Sequence, residues 1–395
     1  VYKRQEEYRA ASDVVSAALM MPPADDDRWE RSLPSWEEML SSTAWDGDRC
    51  VGHAGQFVVE TTVPGGTRLP TGAISRVGAL PTHRRRRVAS RLMDELTLDA
   101  DRRGLVLQSL RASQATIYER FGFGMAGEYC EVIVDPRRAA PIRGADTTGS
   151  FRLLHHDEIV DVVTPLYDRV AHRRVGTISR TASWIQRLVG DAARRTKASF
   201  VVVHHDADGV ADGYVHYETA WDEDHPTEPT GKGEVHDLFG ASDAVELALW
   251  QFICEVDLVT RWRAADRPVD DLLRLAAHDT RAYRIRNVDD EQWVRLLDVD
   301  VALQARAYRS VATDVTVRAT DPLLAGNDGT WRITAVGAER TSMSADIVTD
   351  VAGLSATYLG GTSWRAMAAT ARATEHTPGA VEVADALFGV SPLPY

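Results

Sequence analysis

One stretch, residues 76–123, constrains this chain more than any other. A short apolar run ends at Leu80, and Pro81 and Thr82 break it. Four consecutive arginines follow, Arg84, Arg85, Arg86 and Arg87. Val88, Leu92 and Leu96 then recur at helical spacing, with Ala89, Met93 and Ala100 beside them. Gly104 stops the helix as a glycine just past a C-terminus does, and Leu105-Val106-Leu107 begin another buried strand. The arginines stand at the wrong end of this helix: a cation near the positive N-terminus costs roughly 0.3–1 kcal/mol. No acid occurs between His83 and Asp94 to offset them. Two readings follow. An anion docks on the free amides, making a pyrophosphate cradle, or the run is a solvated basic patch that binds nothing in particular, or RNA nonspecifically.

The rest of the composition weighs on that choice. The chain has 395 residues, enough for two or three domains, and carries a net charge of −13. An acidic protein is a poor general nucleic-acid binder and a good host for cations, so the basic cluster reads as a local anion site. No apolar run approaches the roughly 20 residues of a membrane helix. The polar, then amphipathic start is unlike a signal peptide, and opening on Val1 rather than Met points to leading residues outside the sequence. Three widely spaced cysteines, Cys50, Cys130 and Cys254, imply neither a disulfide framework nor a zinc site, which makes a reducing cytoplasm the expected location. The pairs His155-His156 and His204-His205 lack metal-ligand spacing and are expected to be solvated, with no metal.

Two motifs carry a resemblance. Arg84-Arg85-Arg86-Arg87-Val88-Ala89 resembles the acetyl-CoA motif Q/R-x-x-G-x-G/A of the GNAT superfamily, with Arg87 where the family has Gly. P-T-H-R-R-R at residues 81–86, followed by A-S-x-x-x-I-Y-x-R-F-G-F at residues 112–123, is similar to the enhanced intracellular survival (Eis) family of bacterial acetyl-CoA-dependent aminoglycoside acetyltransferases. The likeness covers nearly the whole chain. It implies an α+β fold of tandem GNAT-like domains, mixed sheets with flanking helices, followed by a sterol-carrier-protein-like domain. The expected ranges are 1–142 for the acetyltransferase domain, 150–286 for a degenerate second copy without a cofactor site, and 290–395 for the third.

Acetyl transfer from a thioester to an amine needs a deprotonated amine, a donor to the thioester oxygen, and an acid for the departing thiolate. A phenol, with a pKa of about 10, suits the last task. By residue type alone Tyr118 reads equally as a buried structural tyrosine; the resemblance makes it the general acid. It also makes backbone groups of Val77, Gly78 and Ala79 contacts to pantetheine, the turn from Arg84 to Ala89 the holder of the pyrophosphate, and Ser113 a cofactor contact. The carboxylate of the last residue, Tyr395, becomes part of the base, where its position alone reads as a frayed terminus. Asp25, Asp26 and Trp36 either line an amine pocket through charge and cation–π contact or form an acidic loop with half-buried tryptophans. Arg76 stands where the family tends to a bulky apolar residue, and in an acceptor cavity it would repel a polyamine.

The expected activity is therefore acetyl-CoA-dependent N-acetylation of aminoglycoside-like polyamines by direct ternary-complex attack, with no metal, nucleic acid or membrane partner. The resemblance implies a homo-hexamer. The alternatives are a protein-lysine or polyamine acetyltransferase, or a noncatalytic small-molecule or lipid carrier with a degenerate GNAT domain.

Overall fold

The computed structural model describes residues 5–190, 198–222 and 230–394. The chain begins with two helices, α1 (Gln5–Ala18) and α2 (Asp26–Glu37). A meander of β1 (Leu40–Asp46), β2 (Arg49–Thr62) and β3 (Arg68–Ala79) leads to α3 (Val88–Arg102), β4 (Leu107–Leu110) and β5 (Gly124–Val134). Next come α4 (Pro136–Ala139), β6 (Ser150–Leu153), α5 (Ile159–Val170), α6 (Ala182–Ile185), β7 (Ala198–His205), β8 (Ala211–Ala220), β9 (Gly231–Gly240), α7 (Asp243–Glu255), β10 (Val259–Pro268), α8 (Leu273–Ala276) and β11 (Tyr283–Leu296). The last segment holds α9 (Val299–Ala305), β12 (Val315–Thr320), β13 (Gly329–Thr334), β14 (Gly337–Arg340), β15 (Ile347–Asp350), α10 (Val351–Tyr358), α11 (Trp364–Ala369), β16 (Ala373–Glu375) and α12 (Ala380–Phe388).

Two compact units result. The first joins residues 1–127 to 290–394, and the second holds residues 128–289. In the first, the strands run β1-β2-β3-β4-β11, and a separate sheet runs β14-β13-β12-β15-β16. The pairs β1–β2, β2–β3 and β4–β11 are antiparallel. β3 and β4 are parallel, as strands joined by a crossover helix must be. The strand β11 runs through the stretch between the expected ranges 150–286 and 290–395, and its Trp293–Leu296 pair with Leu110–Leu107 of β4.

Beneath α3, polar residues form a buried chain. Gln108 Nε2 donates to Gln56 Oε1 at 2.9 Å, and Thr97 Oγ1 donates to Gln108 Oε1 at 2.9 Å. Each group thus has a partner, which a buried amide requires. α3 lies close on β2 because Gly52 offers no side chain. A Cβ there would fall 2.4 Å from Val88 Cγ1 and 3.0 Å from Leu92 Cδ1.

The second unit repeats the order of three antiparallel strands, a helix and a parallel strand, in β7, β8, β9, α7 and β10. Its helix entrance has the opposite electrostatics. Ser242 caps α7, Asp243 and Glu246 sit in its first turn, and Arg173 pairs with both at 2.7 and 2.9 Å. Acids already fill the place where an anion would dock, a physical reason to expect no cofactor site there. The stretch after Asp135 is more than a polar linker: Ala139 and Ile142 are buried in this unit's core. The expectation of solvated histidines fails at His204, which is fully buried with Nδ1 2.6 Å from Asp212. His155 and His156 are exposed; with Asp157 their ligand atoms lie within 4.8 Å of one another. Trp331 and Trp364, in the third segment, are core residues. Among the described residues no helix is long and apolar enough to cross a membrane.

Overpacking at a well-filled contact typically costs about 1–3 kcal/mol. Gly52→Val should therefore lower the thermal midpoint and push the start of α3 off the sheet. Calorimetry with acetyl-CoA should show affinity reduced by about tenfold, while Gly47→Ala, at an open turn, should leave affinity unchanged.

Candidate active site

The site is assembled where β3, α3 and the turn after β4 come together. The parallel ladder between β3 and β4 spans Thr71↔Leu107 to Ala73↔Ser109 and stops there. Val77, Gly78 and Ala79 lie beyond it, so the edge of β3 that faces β4 is open for a ligand's amides. The register with β2 shifts by one residue between Ser75↔Gly55 and Gly78↔His53, a bulge in which Arg76 takes φ +58°. Bulges of this kind re-aim backbone groups beside active sites. His53 Nδ1 lies 2.7 Å from the Arg76 carbonyl and fixes the bulge from within the sheet.

The arginine turn follows. Pro81–His83 form a single 3-10 turn, and Arg85 and Arg87 both have φ +61°. Arg87 is the residue before α3 and has left-handed backbone, φ 61° and ψ 17°. No side chain caps the helix, and its first turn holds no acid. All four arginines are exposed. A helix end with unsatisfied amides and adjacent guanidinium groups can bind a phosphate. Side chains from all three parts of the site share one cluster. Tyr118 is buried among Leu92, Met93, Leu96, Phe123 and Trp293, and Val77 and Val88 pack against the same group. Tyr118 thus belongs to the hydrophobic cluster against which residues of the helix entrance and of β3 beyond the bulge also pack.

After Ser113 the chain makes two 3-10 turns, Ala115–Ile117 and Glu119–Phe121, with Tyr118 between them. Burial raises the Tyr118 pKa above its ordinary value, and a hydrogen bond with the Ser113 side chain partly offsets this. A raised value keeps the phenol protonated and able to donate at neutral pH. Ser113 therefore acts on Tyr118, whatever it also contacts.

On the other side of the bulge Arg76 is held down. Its guanidinium donates to the Ser35 carbonyl at 3.2 Å and to Ser35 Oγ at 2.5 Å, and lies 4.2 Å from the centre of the Trp36 ring. Trp36 is only 3 % exposed, more buried than the sequence led us to expect, and its edge meets His53. Asp25 caps α2 by accepting from Arg28 N at 2.8 Å, and Asp26 pairs with Arg9. Both acids are exposed with structural duties of their own. Tyr395 lies outside the described residues. The carbonyl of Pro394 would be 3.8 Å from a Cβ added at Gly127, near the start of β5. His53 was not singled out in the sequence. A histidine inside the small-residue run Gly52-His53-Ala54-Gly55 was the available signal.

Comparison with known proteins agrees with this arrangement. Residues 2–126 match the profile of an acetyltransferase (GNAT) domain, residues 176–296 a second profile of the same description, and residues 299–395 a sterol carrier protein domain. An uncharacterised N-acetyltransferase of Streptomyces avermitilis is 34% identical over 378 residues, 93% of this chain and 91% of its own length. The N-acetyltransferase Eis of Mycobacterium tuberculosis is 29% identical over 294 residues, 72% of this chain and 70% of its own. The crystal structure of Eis1 from Mycobacterium abscessus superposes with a TM-score of 0.89 at 31% identity, covering 100% of this chain and 97% of that one.

The chain belongs to the Eis family of N-acetyltransferases.

A GCN5-related N-acetyltransferase from Anabaena variabilis, at 19% identity and a TM-score of 0.82, shares the fold. Within the Eis framework, the departure at Arg87 has a local explanation. The backbone there keeps the left-handed shape a glycine would take, and the arginine side chain points into solvent. Left-handed backbone costs a non-glycine residue roughly 1–2 kcal/mol, partly offset by the freedom a glycine loses on folding. Arg87→Gly should raise stability by up to about 1 kcal/mol, read from urea unfolding. It should also leave acetyl-CoA affinity within about twofold at 0.15 M salt and flatten its salt dependence, because one screened charge is gone.

Proposed function

We propose that this Eis-family enzyme transfers the acetyl group of acetyl-CoA to an amine of an aminoglycoside-like small molecule by direct attack in a ternary complex. The supporting observation is a buried Tyr118, its pKa raised by that burial, in the cluster against which Val88 at the helix entrance and Val77 beyond the bulge pack. In this reading the helix entrance and Arg84–Arg87 hold the pyrophosphate, and the amides of 77–79 bond the pantetheine and polarise the thioester carbonyl. The amine nitrogen attacks the carbonyl carbon, the C–S bond breaks, and Tyr118 gives its proton to the leaving sulfur. Asp25 and Asp26 draw cations towards the α2 entrance. The Tyr395 carboxylate takes the role of base by family likeness.

The cysteines support direct transfer over an acetyl-enzyme. Cys50 and Cys130 are buried, burial pushes the Cys130 thiol up, and it pushes Cys254 up to about 12. A thiol held protonated is a weak nucleophile.

A second reading, acetylation of a single-cation acceptor such as a protein lysine, is favoured by Arg76, whose charge lies on Trp36 and disfavours a polycation there. A panel of aminoglycosides, polyamines and lysine peptides, followed by CoA release, separates the two readings.

Removing a general acid lowers turnover by typically 10²–10⁴-fold. Tyr118→Phe should lose at least about 100-fold in kcat with little change in KM for acetyl-CoA, and full turnover by that variant would refute the role. Because the folded pKa of Tyr118 is raised, the acid form persists above the ordinary phenol range. Wild-type kcat should therefore rise from pH 7 to 9 as the amine loses its proton, without a descending limb in that window.

A further inference from the structure

The turn that carries Tyr118 is held from a distant part of the sequence. The Tyr118 carbonyl accepts from Phe121 N at 2.9 Å and Phe123 N at 3.4 Å, which folds the chain back on itself. The Phe121 carbonyl in turn accepts from Arg295 Nη1 at 2.6 Å. Arg295 lies on β11 opposite Gln108 and is 1 % exposed. Its Nη2 donates to both oxygens of Asp321 at 2.9 and 2.8 Å. Asp321 is itself fixed by Leu323 N at 3.0 Å, Leu324 N at 3.2 Å and Asn327 Nδ2 at 3.0 Å. Gly122, at φ +83°, passes so near that a Cβ would lie 1.5 Å from Arg295 Nη1. Outside this buried fork, Arg372 also pairs with Glu119, the residue after Tyr118.

A buried ion pair is poor evidence of stability, because desolvation of both charges commonly cancels their attraction. Here the cost is heightened: among the described residues Arg295 Nε is buried without an acceptor. Apolar side chains would fill the same volume more cheaply. What they would lack is a rigid planar fork that grips a carboxylate with one arm and a backbone carbonyl with the other.

We propose that Arg295, braced by Asp321, is a positioning residue for Tyr118. It holds the Phe121 carbonyl and so sets where the phenol stands at the helix mouth. The sterol-carrier-like segment thereby serves catalysis by bracing the acid. This rests on the assignment of Tyr118 as the acid.

The experiment is a double-mutant cycle on the full-length enzyme. The pair variant is Arg295→Met with Asp321→Leu, which removes both charges together and leaves neither stranded. Arg295→Lys, which keeps the charge but loses the fork, is read in parallel should the pair variant fail to fold. Each is made in the wild-type and Tyr118→Phe backgrounds. The readouts are kcat, KM for acetyl-CoA, and calorimetric acetyl-CoA affinity as a check on folding. Small misplacements of a catalytic group can cost up to about 100-fold. We expect kcat to fall by about tenfold or more with Tyr118 present, KM for acetyl-CoA to hold within about twofold, and the variants to cost less than about twofold once Tyr118 is Phe. Equal losses in both backgrounds, or no loss in either, overturn the positioning role. Full turnover by Tyr118→Phe alone overturns the acid assignment first and the positioning role with it.

Discussion

A helix whose entrance carries four arginines, no acid and no side-chain cap is electrostatically incomplete, and the first unit is built to keep it so. The sheet supplies the platform: Gly52 lets α3 lie flat on β2, and the glutamine–threonine chain beneath satisfies buried amides without consuming the helix amides. The ladder between β3 and β4 stops short, leaving an open edge beside that entrance. Tyr118 belongs to the same hydrophobic cluster against which Val88 at that entrance and Val77 beyond the bulge pack. The second unit shows what the same order of elements becomes without this imbalance. Where α3 has arginines, α7 has a serine cap and two acids matched to Arg173.

The region around Arg76 is defined by different physics. Arg76 is stacked on Trp36 and hydrogen-bonded to Ser35, while its carbonyl is tied to His53. Its backbone and side chain therefore do separate jobs. The left-handed backbone forms the bulge that precedes Val77–Ala79, and the guanidinium ties β3 to Ser35 and Trp36 of α2.

Much of this was legible in the sequence because local patterns carry local structure. The 3.6-residue period from Val88, the glycine stop and the turn pairs at Asp46-Gly47 and Asp208-Gly209 each mark an element that exists. Tyr118 stood out only through its motif, since a tyrosine alone has no signature of acidity. What escaped were pairings between remote positions. Nothing periodic links Arg295 to Asp321 and Phe121, and nothing local shows that Trp293–Leu296 complete the sheet begun by β4. Burial of His204 was missed for a related reason: adjacent histidines look solvated until a partner such as Asp212 appears across the sheet.

The route of β11 has a consequence for how the protein is made. Strand β4 leaves the ribosome after its neighbour β3 but long before β11, which covers its other edge. Until Trp293–Leu296 emerge, its outer edge offers bare amides and carbonyls to any passing strand, a state prone to mispairing. The catalytic unit therefore cannot mature in simple N-to-C order. It waits, unfinished, through synthesis of the whole second unit, and that interval with an unpaired edge follows from the topology rather than from any weak residue.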